Sequence, residues 1–216
     1  AGKWNTTIDR TRFWRHSLEV AIACREIAEA IKYGCDEEAF VAGLIHDIGL
    51  LVLEKSFPEK FERIWLEAER GESIFEQEER VWESNHARIG RFLLEQWNLP
   101  EVICQAVGYY HNEFSPGNNE PEFRLPQIVA LADIIARFSI TKARPLLSSE
   151  QEYKEILCTN LKLDPRKLCE IEKALFGKTV QEAGFLEIEI GSPDDLMVEA
   201  NRSEEHTSEL QSRQSI

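Results

Sequence analysis

Ala42-Gly43-Leu44-Ile45-His46-Asp47-Ile48-Gly49 is an apolar stretch broken by one adjacent imidazole and carboxylate. Burying such a pair costs several kcal/mol unless each group is paired, hydrogen-bonded or metal-bound. Around it, Ala39, Phe40, Ala42, Gly43, Leu44, Ile45 and Ile48 leave scarcely a polar face apart from the pair itself. The spacing predicts one central helix, capped by Asp36 and running to about Leu53. The His-Asp pair therefore has to be satisfied inside a helical core.

Outward from this stretch, nearly every segment reads as helix. Phe13, Leu18, Ala21, Ile22, Cys24, Ala28 and Ile31 recur close to a 3.6-residue period over Ile8 to Lys32, and Gly34 supplies a C-terminal cap. Pro58 opens a helix ending near Arg70-Gly71, and Ser73 with Glu76 forms a capping box for a helix to about Glu83. Asn85 caps a helix from His86 to Trp97, and Pro100 starts one that runs to His111. Asn112 to Arg124, with two Pro, a Gly and paired Asn, reads as a loop. Pro126 opens an apolar helix through Ile140, and weaker helices follow at about Glu150 to Asn160 and Pro165 to Phe176. No run of alternating strands and no internal repeat is present, so the predicted fold class is all-α.

Composition bounds the reading further. The chain has 216 residues, 43% hydrophobic and 30% charged, which suits one globular domain with a sizeable core. No apolar run reaches membrane-spanning length, and no secretory leader is visible at Ala1-Gly2-Lys3-Trp4-Asn5, so a cytoplasmic fragment of a longer product is expected. The net charge of -14 opposes binding to nucleic acid or an anionic membrane through the body of the domain. Arg10, Arg12 and Arg15 form the one visible basic cluster. Cys24, Cys35, Cys104, Cys158 and Cys169 never pair as Cys-x-x-Cys, which argues for reduced, packing thiols rather than disulfides or a thiolate zinc site.

The helical domain is expected over 8–183. Phe185 to Ile190 alternates and reads as extended, and Gly191-Ser192-Pro193 as a fresh helix start, so 184–201 is taken as a linker toward a downstream domain. Residues 202–216, beginning Arg202-Ser203-Glu204-Glu205-His206, resemble the conceptual translation of a sequencing adapter and are set aside as an artefact tail. His206 thereby leaves the set of candidate ligands.

The remaining histidines are not scattered. His16 lies in the first helix, His46 and Asp47 in the second, His86 at the head of a later one and His111 at the end of the next. Asp133 sits on the apolar helix Val129-Ala130-Leu131-Ala132-Asp133-Ile134-Ile135, where an unpartnered carboxylate is costly. Imidazoles and carboxylates converging from several helices suit a divalent metal such as iron, manganese or zinc, which can acidify water and polarise a phosphoryl group.

In this order the residues resemble the ligand pattern of the HD superfamily of metal-dependent phosphohydrolases. Phe13-Trp14-Arg15-His16-Ser17-Leu18, the His46-Asp47 stretch, Asn85-His86-Ala87-Arg88-Ile89-Gly90 and Trp97-Asn98-Leu99-Pro100 resemble more closely the HDOD family, the HD-related output domain of bacterial signalling proteins, over about Thr11 to Arg137. The resemblance implies an HD-superfamily-like multi-helix fold, truncated here at both ends and lacking the N-terminal half of the family domain. It implies metal ligands at His16, His46, Asp47 and Asp133, with a second site at His86 and His111.

Two departures weigh against catalysis. Leu50 stands where the related cyclic-dinucleotide phosphodiesterases carry a phosphate-contacting Lys, and Tyr110-His111 keeps one histidine of a pair, with no Gly-Tyr-Pro signature following. The expected function is thus a non-catalytic signalling module acting through protein or ligand contacts, with protein partners or a fused signalling domain. The alternative is a metal-dependent phosphohydrolase of a nucleotide or cyclic dinucleotide.

Each residue also has a plainer reading. His46-Asp47, with His16 and Asp133, can be a metal-free hydrogen-bonded core network. His86 can serve local hydrogen bonding, and His111 the dipole of its helix. Arg15 reads as solvated, Trp14, Trp65, Trp82 and Trp97 as core packing, and Glu76 to Glu79 as a soluble helix face.

Overall fold

The computed structural model describes residues 6–136 and 148–185. Helix α1 (Arg10–Ala30) begins at Asp9, whose carboxylate accepts from the Thr11 and Arg12 amides. It is buried around most of its circumference, Val20 to Cys24 having no exposed surface, so it is the axis on which the fold is assembled. Lys32, at φ 52, is the left-handed residue that closes α1, and the Tyr33 amide reaches back to the Ala28 carbonyl. Gly34, expected as that cap, instead turns the chain at φ 94 toward the next helix.

The predicted helix from Asp36 to Leu53 is two helices, α2 (Asp36–Ile45) and α3 (Ile48–Ser56). The break falls on the His-Asp pair. His46 keeps helical dihedrals, but Asp47 at φ -96, ψ 11 leaves them and becomes the N-terminal flank of α3. His46 Nδ1 lies 2.7 Å from the Gly43 carbonyl, which replaces a backbone partner that the break removes. Cys35, not Asp36, holds the N-terminal flank of α2, with no side-chain cap.

Beyond the break lie α4 (Pro58–Ala68), α5 (Ile74–Trp82) and α6 (His86–Gln96), followed by α7 (Glu101–Tyr109). The predicted caps form: Ser73 Oγ accepts from the Glu76 amide and Asn85 Oδ1 from the Arg88 amide. A short 3-10 turn (Pro121–Phe123) leads into α8 (Arg124–Ile135), so Pro126 lies within the first turn rather than opening the helix. Then come α9 (Ser148–Leu161) and α10 (Pro165–Phe185), the last nine residues longer than its periodicity suggested. The predicted run to Ile140, the extended segment and linker beyond Phe185, and the tail lie outside the described residues.

Among the described residues there is no strand, and the fold is all-α. One core gathers α1, α2 and α6 to α10; a second holds Ile8, which precedes α1, with Phe13, Leu50, Leu53, Phe61 and Trp65 from α1, α3 and α4. Leu50 is thus a core residue, packed among aromatic rings. Ion pairs Lys178–Glu26 and Arg25–Glu182, the latter at 2.9 Å, tie α10 to α1. Trp14 and Trp97, expected in the core, are 40% and 57% exposed, whereas Arg15, expected in solvent, is buried. Arg10 and Arg12 face Glu54 and Glu69, which dissolves the basic cluster read from the sequence. No helix among the described residues is long and apolar enough to cross a membrane.

Candidate metal centre and its hydrogen-bond relay

Three of the six candidates, His16, His46 and Asp47, bring one donor atom each within 4.8 Å of one another, and Asp133 stands beside the two histidines. His16 Nε2 lies 3.7 Å from Asp47 Oδ2 and 3.3 Å from Asp133 Oδ1; His46 Nε2 lies 3.3 Å from Asp47 Oδ2 and 3.9 Å from Asp133 Oδ1. Donor atoms bound to one ion at about 2.1 Å stand roughly 3 to 4 Å apart. The donors of His16, His46 and Asp47 are therefore close enough to share an ion, with Asp133 at its edge. Three of the residues, His16, His46 and Asp47, are buried, and Asp133 is partly open at 31%.

The break between α2 and α3 is what points the pair inward. With Nδ1 donating to the Gly43 carbonyl, the neutral imidazole of His46 carries its lone pair on Nε2. That nitrogen is buried and has no hydrogen-bond partner among the described residues. An orphaned acceptor of this kind fits a positive centre, either a cation or a proton. Burial alone would lower the His46 pKa, but the charge of Asp47, with Asp133 and the Gly43 carbonyl, raises it to about 9. Burial likewise works against ionised Asp47, yet the charge of His46, aided by His86 and His16, holds it well below the usual carboxylate range. Asp133 is also lowered, burial being outweighed by the hydrogen bond and charge of His16.

His86 and His111 belong to a different network, on the other side of Asp47. The Tyr110 hydroxyl donates to Asp47 Oδ1 at 2.7 Å and lies 2.7 Å from His86 Nε2, which is 3.0 Å from His111 Nε2. On its far side, His86 Nδ1 donates to Glu78 Oε2 at 2.6 Å, and the same oxygen accepts from the His86 amide at 2.8 Å. The single hydroxyl proton of Tyr110 is spent on Asp47, so His86 Nε2 must itself donate. His86 is then an imidazolium between Glu78 and Asp47. Burial lowers its pKa, but the charge and hydrogen bond of Glu78, with Asp47, raise it by more. His111, partly buried beside that cation, is pushed down to about 3 by burial and the His86 charge, and as a neutral ring it shares the one Nε2 proton of His86 with the Tyr110 oxygen.

Two members of this relay were not singled out by sequence reasoning. Glu78 was read as part of a soluble acidic face, yet it has no exposed surface. A signal existed: Phe75, Glu78 and Trp82 fall at i, i+3 and i+7, on the apolar stripe of α5. In the sequence Tyr110 stands out only as the residue in place of a second histidine. Gly49 is the third contributor, since a Cβ there would fall 1.9 Å from the His86 carbonyl oxygen. Only glycine lets the start of α3 touch the head of α6, and this contact brings Asp47 to His86.

The sequence model of the HDOD domain family matches residues 1–113. The fold is similar to an HDOD domain protein of unknown function from Geobacter sulfurreducens, with TM-score 0.66 and 22% identity over 82% of this chain and 63% of that one. It is similar to a provisionally named phosphohydrolase from Shewanella amazonensis SB2B, with TM-score 0.60 and 23% identity over 85% and 64% of the two chains. It is also similar to the MmoQ response regulator of Methylococcus capsulatus str. Bath, with TM-score 0.59 and 22% identity over 77% and 62%. At such identities these likenesses show the fold alone. An uncharacterized protein of Treponema pallidum (strain Nichols) is 25% identical over 155 residues, 70% of this chain. The chain spans less than two thirds of each of these solved structures and 28% of that relative.

Proposed function

Because this chain belongs to the HDOD family, we propose that it is a non-catalytic module of bacterial signal transduction. Its HD pocket takes at most one divalent ion, at His16, His46, Asp47 and Asp133. The observation that carries this reading is the Tyr110 hydroxyl, 2.7 Å from both Asp47 Oδ1 and His86 Nε2. It fills the place where a second ion would have to touch Asp47 and His86 together. With His86 also committed to Glu78, the His86–His111 half of the pocket is a protein relay rather than a second metal site.

The bound ion, whether iron, manganese or zinc, would supply a fixed positive charge and a Lewis acid. The chain's own residues then do the positioning. The Gly43 carbonyl sets the His46 tautomer, Tyr110 orients Asp47, and α1 and α8 bring His16 and Asp133 to the centre. Leu50, inside the second core, places no cation near a phosphate. The response-regulator name borne by one fold neighbour supports signalling through a fused or partner protein. The strongly acidic chain fits a cytoplasmic protein partner better than nucleic acid or an anionic membrane.

Elemental analysis of the purified full chain beside His46→Ala and Asp47→Ala, with hydrolysis assays on cyclic dinucleotides and phosphomonoesters, tests the reading. The expected result is no more than one equivalent of metal, lost in both variants, without turnover. Turnover that disappears in both variants would establish the phosphohydrolase alternative, which the donor spacing around His16 and His46 favours.

A further inference from the structure

Beside the relay, and opening to solvent, lies a cavity of about 320 Å³ lined in part by Phe75, Arg88, Arg91, Phe92, Tyr109 and His111. Its volume is at the lower end of the range for small-molecule sites. We propose that this cavity is an input site for a small aromatic anion, an aryl carboxylate or aryl phosphate, sensed through His111. The proposal deepens the signalling reading by giving the module a ligand.

Three features select that chemistry. Arg88, Arg91, Phe92 and Glu95 follow at i, i+3, i+4 and i+7, so α6 presents them to the cavity as one stripe. Arg91 is already committed: Nε donates to Glu95 at 2.7 Å and the guanidinium lies 4.9 Å over the Tyr109 ring, packed against Gly108. It is a wall. Arg88, by contrast, is 62% exposed and meets Glu79 only at 3.6 Å, beyond hydrogen-bonding distance. It is a guanidinium fork open to an anion in a chain of net charge -14.

Phe92 is 63% exposed at the same place, and with Phe75 it offers apolar surface that a flat ring would cover. The floor of the cavity is the third feature. His111 packs its ring 4.6 Å from that of Phe75 and stands 3.0 Å from His86 Nε2. An occupant touching His111 is thus linked to Asp47 through His86 and Tyr110. The arrangement gives a route from ligand to pocket through named atoms.

Titration of the uniformly 15N-labelled full chain with benzoate, phenyl phosphate, inorganic phosphate and phenol tests this, read by amide and imidazole NMR signals. Saturable binding of benzoate or phenyl phosphate is expected, with the His111 and His86 imidazole signals shifting, and the tighter of the two identifies the head group. Loss of one charge-assisted hydrogen bond or of the apolar contact should weaken binding by about tenfold in each of Arg88→Ala and Phe92→Ala. Inorganic phosphate and phenol, each lacking half of the ligand, should bind about tenfold more weakly as well. Both substituted side chains are exposed, and Trp97→Ala, outside the cavity, should leave the affinity unchanged. The proposal fails if neither aromatic anion saturates, if both variants bind like wild type, or if the imidazole signals of His111 stay still. These readouts involve neither metal nor turnover, so they stand apart from the metal and hydrolysis tests.

Discussion

Tyr110 donates its hydroxyl proton to Asp47 Oδ1 across 63 residues of sequence, joining the end of α7 to the break between α2 and α3. Both groups are buried, so each satisfies a polar atom that water cannot reach. The bond also divides Asp47 between two neighbourhoods, with Oδ2 facing His16 and His46 and Oδ1 facing the relay.

Tyr110→Phe removes that donor while keeping the ring. The substitution should cost about 1 to 3 kcal/mol, the penalty for leaving a buried acceptor unsatisfied. Urea unfolding measures it, and a change below about 0.5 kcal/mol would show that Asp47 finds another partner.

Glu78→Gln should be considerably worse, since it leaves the His86 imidazolium without its counter-charge in the interior. Breaking a buried pair from one side typically costs about 3 to 5 kcal/mol. Glu76→Gln, two residues away on the exposed side of α5, should stay within about 0.5 kcal/mol. Equal effects at the two positions would refute the buried role of Glu78.

Stability of the metal-free protein should peak near the ordinary histidine pKa of 6.5. His111, neutral in the fold down to about 3, binds fewer protons than in the unfolded chain, so stability rises with pH from about 3 to 6.5. His46, protonated in the fold up to about 9, binds more protons than in the unfolded chain. Its contribution is complete below 6.5 and is lost as pH rises to about 9. His86, raised in the same direction, adds to the alkaline decline. Melting temperature against pH in the presence of chelator checks the shape; a maximum well above pH 8 or below pH 5 would contradict the assignments. Divalent-metal affinity should increase over the same alkaline window, because the ion displaces the His46 proton.

Gly49→Ala should disrupt the fold more than Gly90→Ala. The first places Cβ 1.9 Å from the His86 carbonyl oxygen, which belongs to a helix backbone and cannot yield; the second meets a Val107 methyl at 3.1 Å. Overpacking of this kind costs about 1 to 3 kcal/mol and occasionally more. Gly49→Ala should also loosen the His86–Asp47 contact, visible as altered His86 imidazole signals, while Gly90→Ala should leave them in place.

The helical fold was legible from period and caps, and the motif order that resembles the HD pattern pointed to His16, His46 and Asp47, which the fold brings together. The split at His46-Asp47 was not, because eight consecutive apolar-compatible residues read as helix whether or not one peptide unit leaves the helical dihedrals. Arg15 and the exposed Trp14 and Trp97 were misplaced for a related reason. Helical phase says which residues share a face, but not which face meets a neighbour.

By itself, then, the sequence determined the family, by motif order, and the all-α architecture, since spacing along a helix is a local property that side-chain type reveals. Only the tertiary structure decided that Glu78 is buried, that Tyr110 stands between Asp47 and His86, and that Leu50 faces a core. Those outcomes depend on how α5 and α7 pack against α6 and on the close approach of Gly49 to α6. Desolvation and charge pairing are set by atoms distant in the chain, so the apolar stripe of α5 could place Glu78 on the inward face but could not show that it holds a buried imidazolium.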